Sequence, residues 1–562
     1  MSTGRRGTTR TDTRAAAPGA PATAAAEHPA SAAARRTGLG RAALWGLPAA
    51  AAAVMLAMSL WGIGRNDTMG NDEVATRYAA MLSLRQLFHL LSHVDAVHGT
   101  YYLLMHAWVV IGTTPTVLRI PSVIAMTAGA ALIVITGRRL TGSGWAGLFA
   151  GVIMALTPSI SYYAQTARSY ALVLTFVVAT TLALMRALEA EAADDTGWRL
   201  TRWWVLYGAL LTISSYLNEL ALMVLSAHLV TVLLARYGRR VFEHFFVAAV
   251  ISGLVVAPLV LLSVRERSAV GWIPRPDLEQ VGILFHDYFG GTGHAVVPFI
   301  VFAFALVALL PPRGWRSRRA SRDEAAAAWW ERPGVSLQSV ALPLVTLPAG
   351  LLMLESLVAH PLYVDRYVLY GEAGGALLAG AGCYRAGQWL WQQAGRWLRR
   401  PANPPRLAAL LVVPGLAVCL CALLLNLGPQ QRGRTPQSRQ YDFGTPSFYV
   451  GAHARPGDGI LFFNSFYRKA RLGYPADYRN VTDFALAVSP ERAGNYNGVD
   501  KTFAAVEPVM LRYQRIWVLG RLPSAGVSNQ SIRAEGELLL SSYRPAFERQ
   551  YKGMILSLWV RR

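Results

Sequence analysis

Eleven apolar runs, each near the length needed to cross a bilayer, limit this chain to very few architectures. Crossing roughly 30 Å of hydrocarbon takes about 20 mostly apolar helical residues, because no backbone N–H or C=O can stay unpaired in lipid. The runs lie near 42–62, 120–137, 144–160, 170–187, 203–217, 219–235, 244–263, 295–311, 338–357, 367–384 and 407–427. They form blocks rather than one-sided stripes, and a chain with 53% hydrophobic and 15% charged residues is not an ordinary soluble domain. The expectation is a mainly α, polytopic membrane protein with about eleven transmembrane helices. Residues 101–112 are apolar but too short to span, which predicts an interfacial helix.

Lys and Arg near spans are retained in the cytoplasm, so their distribution sets the orientation. With the N-terminus inside, inner segments hold 26 of them and outer loops only 9; the remaining 19 follow residue 428. A long domain crosses largely regardless of charge, so that last group does not vote. The net charge of +22 is therefore read as a topology signal. Nucleic acid is excluded as a partner, since no compact basic and aromatic module is present. Cys383, Cys419 and Cys421 fall in or beside spans, where free Cys behaves as a small apolar residue.

Residues 1–41, rich in Ala, Thr, Arg, Gly and Pro, are read as a disordered basic cytoplasmic tail. The region 42–427 is the membrane domain, and its first span is read as a retained signal anchor. Beyond Leu427 the composition becomes that of a soluble domain, 428–562, with strand-like runs at 460–463, 516–519 and 554–560 and a helix around 500–513. An odd number of spans puts this small α/β domain outside, together with its sequons at Asn480 and Asn529. It is assigned no catalytic role. No inverted internal repeat of the transporter kind is visible.

Candidate chemistry collects in the outer segments. Asp72 and Glu73 follow the first span by about ten residues, and adjacent carboxylates repel, which would raise one pKa and suit it to act as a base. The plainer reading is a solvated helix N-terminus. Asp95, His98 and Tyr102 precede and enter the interfacial helix, which also bears His106 and Trp108. Pro121, after Arg119, is placed in the first turn of the second span. The turn Ser161 to Tyr170 contains Tyr163 and Arg168, and Tyr363 to Tyr367 contains Asp365 and Arg366. Arg in outer turns runs against the charge rule and implies an anionic partner, a lipid headgroup phosphate or a phosphate-linked substrate. The loop 264–294, with Trp272, Asp287 and a Gly-rich run at 290–293, has the character of a segment that closes over a substrate.

These pieces, in this order against the spans, resemble the GT-C membrane glycosyltransferases, specifically the glycosyltransferase family 39-like group of protein mannosyltransferases and aminoarabinose transferases. The resemblance runs from the first span to about residue 385. It departs from the family at Thr166 and Ser169, where relatives often carry an acid and Pro, and at His98-Gly99, where they often carry Pro-Pro. It implies a multi-pass enzyme of the cell membrane that takes a sugar, mannose or similar, from a polyprenyl-phosphate carrier. The sugar passes to a hydroxyl of a cell-envelope glycan, lipid or protein, with inversion. Asp72, with Glu73, would be catalytic; Arg168, Arg366, Tyr163 and Tyr367 would hold the donor phosphate; Asp95, His98 and Tyr102 would serve the acceptor or its loop. No cofactor is committed to, although Mg2+ or Mn2+ at Asp72, Glu73 or Asp95 suits hard oxygen ligands. Two rivals stand beside this reading: a transporter or lipid flippase, and a non-catalytic protein of the same fold.

Overall fold

The computed structural model describes residues 29–64, 67–266, 271–291, 294–310, 334–397, 405–521 and 529–562. Contacts divide the chain into residues 1–46 and 47–562, and the second unit holds the helical bundle, the sheet and every candidate site residue. The composition break at residue 428 is not a break in contacts. Of the expected disordered tail, residues 1–28 lie outside the described residues; from Pro29 the chain is helical. That corrects the expectation over 29–41, where abundant Ala favours helix.

Among the described residues the apolar runs fall mostly in helices, and five of these are long and apolar enough to pass as spans: Pro115–Thr141, Tyr170–Ala192, Arg239–Arg265, Leu337–Val358 and Val413–Arg432. A sixth results if Gly144–Leu156 and Pro158–Ala164, bent by 70° at Thr157, count as one. The remaining apolar runs lie in shorter or more polar helices. Trp45–Leu60, Glu219–Ala235 and Val297–Val307 are short apolar helices. The runs at 203–217 and 367–384 lie in Trp198–Leu217, which includes Arg199 and Arg202, and Glu372–Trp397, rich in Gly and Gln; both bury polar or small residues in the bundle. Position in the bundle shows in burial: 72% of the apolar window of Tyr170–Ala192 is buried, against 28% for Arg239–Arg265, which turns Phe246, Val250, Ile251 and Leu254 outward.

The early elements are α1 (Pro29–Leu60), α2 (Asn71–Met81), α3 (Leu84–Leu91), α4 (Gly99–Trp108), α5 (Pro115–Thr141), α6 (Gly144–Leu156), α7 (Pro158–Ala164) and α8 (Tyr170–Ala192). Helix packing relies on small residues, as it must where lipid offers no hydrophobic drive between helices. A Cβ on Gly380 would strike the Ala150 backbone, and one on Gly147 would strike the Val134 carbonyl. The expected interfacial helix is α4, ending at Trp108; Tyr101, Tyr102 and Met105 are buried, while Leu103 and Leu104 face out. Pro121 does not lie in a first turn as expected. α5 opens at Pro115, capped by Thr114, and Pro121 sits inside it. A Pro there cannot bond to the carbonyl four residues back, and Trp108 Nε1 donates to that Val117 oxygen instead, at 2.9 Å.

After residue 443 come a two-stranded pair, β3 (Leu486–Val488) with β4 (Val499–Asp500), and a five-stranded sheet in the order β2-β1-β5-β7-β6, from β1 (Asp458–Phe462), β2 (Val481–Asp483), β5 (Arg515–Leu519), β6 (Tyr543–Tyr551) and β7 (Met554–Arg561). β1 runs parallel to both β2 and β5, while β7 is antiparallel to β5 and β6. The three expected strands are β1, β5 and β7, and the expected helix stands at Phe503–Met510. In 264–294 the structure has a helix, Leu278–Tyr288; residues 267–270 and the end of the Gly run, Thr292 and Gly293, lie outside the described residues.

Candidate active site

The start of α2 decides the fate of its two acids. Residues one apart on a helix diverge by about 100°, so Asp72 and Glu73 cannot face the same way. Glu73 turns inward and is 2% exposed. Its Oε1 accepts from Arg119 Nε at 2.8 Å and the Ala167 amide at 3.1 Å; its Oε2 accepts from Arg119 Nη2 at 3.0 Å and the Gly70 amide at 3.4 Å. Arg439 Nη2 adds an ion pair at 3.8 Å. Burial opposes the charge, but Arg119 and Arg439, with these bonds, pull the carboxyl from 4.5 to about 2. Arg119 is buried to 1% exposure and also holds the carbonyls of Ile63 and Thr68.

Asp72 stays open, its side chain 31% exposed, with Arg168 Nη2 at 3.8 Å from Oδ1. Burial pushes its pKa up, and the Arg168 and Arg366 guanidiniums with the Lys469 ammonium outweigh that and hold it below the ordinary range. The raised pKa expected of one neighbouring carboxylate is therefore absent from both. Each acid has its own guanidinium, and that attraction exceeds their mutual repulsion.

Arg168 is fixed by the turn that carries it. Thr76 Oγ1 donates to the Ala167 carbonyl at 2.9 Å, Ser122 Oγ to Thr166 at 2.8 Å, and Arg439 to Thr166 Oγ1 and the Gln165 carbonyl, each at 3.0 Å. Arg168 Nη1 donates to Tyr102 Oη at 2.7 Å, while its Nε is buried with no partner. Tyr102 in turn donates to Asp95 Oδ2 at 2.7 Å, and Tyr496 donates to the same oxygen at 2.8 Å. Asp95 sits at φ 61°, a left-handed conformation uncommon outside Gly. Burial works against its charge, and Arg168 with the two tyrosine hydroxyls holds its pKa low. His98 Nδ1 is buried and unpartnered; burial and the Arg168 charge push the imidazole from 6.5 to about 3, so the ring is neutral.

Arg366 stands in an aromatic cage. Its Nε donates to Tyr170 Oη at 3.1 Å, and its guanidinium lies 5.4 Å from the Tyr367 ring and 5.7 Å from Trp272. Tyr163 packs edge-on against Tyr170 at 5.4 Å, one ring removed from the guanidinium. Asp72, Arg168, Asp95, His98 and Tyr102 thus come together, with Arg366 near enough for its charge to act on Asp72. Glu73 is present but enclosed.

Three participants come from the segment that was expected to have no catalytic part: Arg439, Lys469 and Tyr496. Contact across about 400 residues leaves no local pattern from which to expect them. The donor set expected for Mg2+ or Mn2+ does not fit. Both Glu73 oxygens are engaged and one Asp95 oxygen takes two hydroxyls. Among the described residues, no group of three or more His, Cys, Asp or Glu is placed to hold a metal ion. Five cations (Arg119, Arg168, Arg366, Arg439, Lys469) face three carboxylates (Asp72, Glu73, Asp95), an excess that suits an anionic ligand.

A family model described as dolichyl-phosphate-mannose-protein mannosyltransferase matches residues 97–262. No curated protein matches the sequence. Among solved structures, ArnT from Cupriavidus metallidurans in the apo state superposes with a TM-score of 0.52 at 12% identity, covering 92% of this chain and 98% of that one. The same protein bound to undecaprenyl phosphate gives 0.51 at 14% identity with the same coverage. An apo oligosaccharyltransferase from Archaeoglobus fulgidus gives 0.50 at 10% identity, covering 85% of this chain and 69% of that one.

Proposed function

We propose that this chain, a multi-pass membrane protein with the GT-C fold of the protein mannosyltransferase and ArnT type, is a glycosyltransferase using a polyprenyl-phosphate sugar, mannose or similar. The acceptor is a hydroxyl of an envelope glycan, lipid or protein on the extracytoplasmic face. One observation carries the reading: an open carboxylate, Asp72, lies 3.8 Å from a buried guanidinium, Arg168, that has donor capacity to spare.

The acceptor oxygen attacks the anomeric carbon as the bond from that carbon to the phosphate oxygen breaks. The acceptor proton goes to Asp72, the bonding pair leaves with the polyprenyl phosphate, and a single displacement inverts the configuration. Arg168 and Arg366 stabilise charge growing on the departing phosphate. The low pKa of Asp72 fits this sequence. A donor phosphate between the guanidiniums screens their pull on the carboxylate, so its basicity rises when substrate is bound. Glu73, closed off by Arg119, acts as a positioning residue that fixes the start of α2 against the Arg168 turn.

The transport alternative finds its footholds in ionisable groups buried in the bundle, among them Glu372, whose Oε1 accepts from Ser159 Oγ at 2.9 Å, and His228. Its Nε2 meets Thr181 Oγ1 at 3.0 Å and its Nδ1 meets Tyr207 Oη at 3.2 Å, so both ring nitrogens are engaged in packing.

The test is Asp72→Asn in membranes supplied with labelled polyprenyl-phosphate sugars, with products read by mass spectrometry. Turnover is expected to fall by about 10² to 10⁴, the usual worth of a general base. Wild-type turnover in the variant would remove Asp72 from the mechanism, and solute movement into liposomes without covalent product would favour transport.

A further inference from the structure

We infer that the C-terminal domain is a working part of the catalytic centre, its Lys469 and Tyr496 holding Asp72 and Arg168 in register through two separate hydrogen-bond chains. The inference rests on the glycosyltransferase reading and extends it to residues outside the membrane bundle.

The first chain begins at Lys469, which opens the short helix Lys469–Gly473. That helix lies tightly on α2, since a Cβ on Gly473 would come within 2.8 Å of the Val74 side chain. Lys469 Nζ donates to Asn71 Oδ1 at 2.8 Å, and Asn71 Nδ2 donates to Asp72 Oδ1 at 3.3 Å. The amide orientation is fixed by its neighbours: an ammonium can only donate and an ionised carboxylate can only accept. The second chain begins at Tyr496, which donates to Asp95 Oδ2; that oxygen also takes the Tyr102 proton, and Tyr102 accepts from Arg168. The chains end on the two members of one ion pair. They are joined at their outer ends, where the Lys469 ammonium lies 5.3 Å from the Tyr496 ring centre.

Two features show that this is more than a domain contact. Lys469 puts a third positive group beside Asp72, on the α2 side of it. The orphaned Nε of Arg168 and Nδ1 of His98 lie in the same cluster, so the positioned groups border unspent hydrogen-bonding capacity. Lys469 and Tyr496 touch no reacting atom in this scheme. They are positioning residues, acting through Asn71, Asp95 and Tyr102.

The groups facing Lys469 are Asn71 and Asp72 of α2, Asp95, Arg168, and the rings of Phe466 and Tyr496. Burial lowers its pKa and Asp95 and Asp72 partly restore it, leaving the ammonium at about 8. Above that pH the extra cation is lost and the bond to Asn71, now from a neutral amine, loses its charge assistance, so turnover falls.

The test uses the purified full chain in nanodiscs with polyprenyl-phosphate mannose as donor, and undecaprenyl phosphate as a binding probe. Lys469→Met is expected to lower kcat by about tenfold, the scale of one misplaced positioning bond, and to change undecaprenyl phosphate affinity little. Lys469→Arg is expected to restore most of kcat and move the alkaline limb of the pH profile above 8, since guanidinium does not titrate there. Tyr496→Phe is expected to raise donor KM more than acceptor KM. Wild-type kcat and pH profile in both lysine variants, beside an active wild type, would overturn the inference and leave the glycosyltransferase reading intact. If Lys469→Met fails to fold, an unmoved alkaline limb in Lys469→Arg overturns it alone. No transfer by wild type from any polyprenyl-phosphate sugar removes both.

Discussion

Glu73→Gln separates holding the site from performing its chemistry, and its magnitude can be worked from the structure. The substitution keeps the shape and one acceptor oxygen but removes the charge, leaving Arg119 and Arg439 as buried cations without their common partner. Breaking a buried pair from one side costs about 3–5 kcal/mol, because the remaining charge is stranded. Linkage gives a similar figure: a carboxyl held at about 2 instead of 4.5 contributes about 3 kcal/mol once ionised. The sign follows from the lowered folded-state pKa. This contribution is fully present above 4.5 and disappears as pH falls through about 2. Thermal unfolding of the full chain in detergent, followed by the fluorescence of its 16 Trp, should show Glu73→Gln melting several degrees below wild type at pH 7. The gap should narrow steadily below pH 4.5. Asp72→Asn, with a partly exposed side chain and a looser pairing to Arg168 at 3.8 Å, should lower the melting point less than Glu73→Gln does. Equal melting of Glu73→Gln and wild type at neutral pH, or a gap that persists in acid, would refute the account of Glu73 as a buried staple.

Arg168→Ala should weaken use of the polyprenyl-phosphate donor far more than use of the acceptor, measured as separate KM values; equal effects on both would count against a phosphate contact. Gly380→Val should destabilise by about 1–3 kcal/mol, the usual range for overpacking, because its side chain has only the Ala150 backbone to enter. The melting midpoint reports it, and an unchanged midpoint would mean the two helices can part at little cost.

The membrane architecture was legible because lipid imposes one rule on every span, and apolar runs obey it whatever they pack against. Asp72, Arg168 and Arg366 were legible because each is a charge in a place that usually avoids one. The separation of Asp72 from Glu73 was hidden by their adjacency: sequence shows two acids, and only the helical turn shows that one meets Arg119 indoors. β6 was missed since its exposed edge sequence, rich in Arg, Glu and Gln, lacks an apolar alternation. Lys469 and Tyr496 lacked any local signal, because their partners lie on α2 and ahead of α4.

Arg439 grips the Arg168 turn from 273 residues further along the chain. At a synthesis rate of about 5–20 residues per second, that stretch takes roughly 15 to 50 s to make. During this interval the bundle is inserting in the bilayer while one side of the turn has nothing to hold it. An immature protein on the ribosome therefore holds this turn through Thr76 and Ser122 but not Arg439 until Val413–Arg432 and the first residues beyond it have arrived.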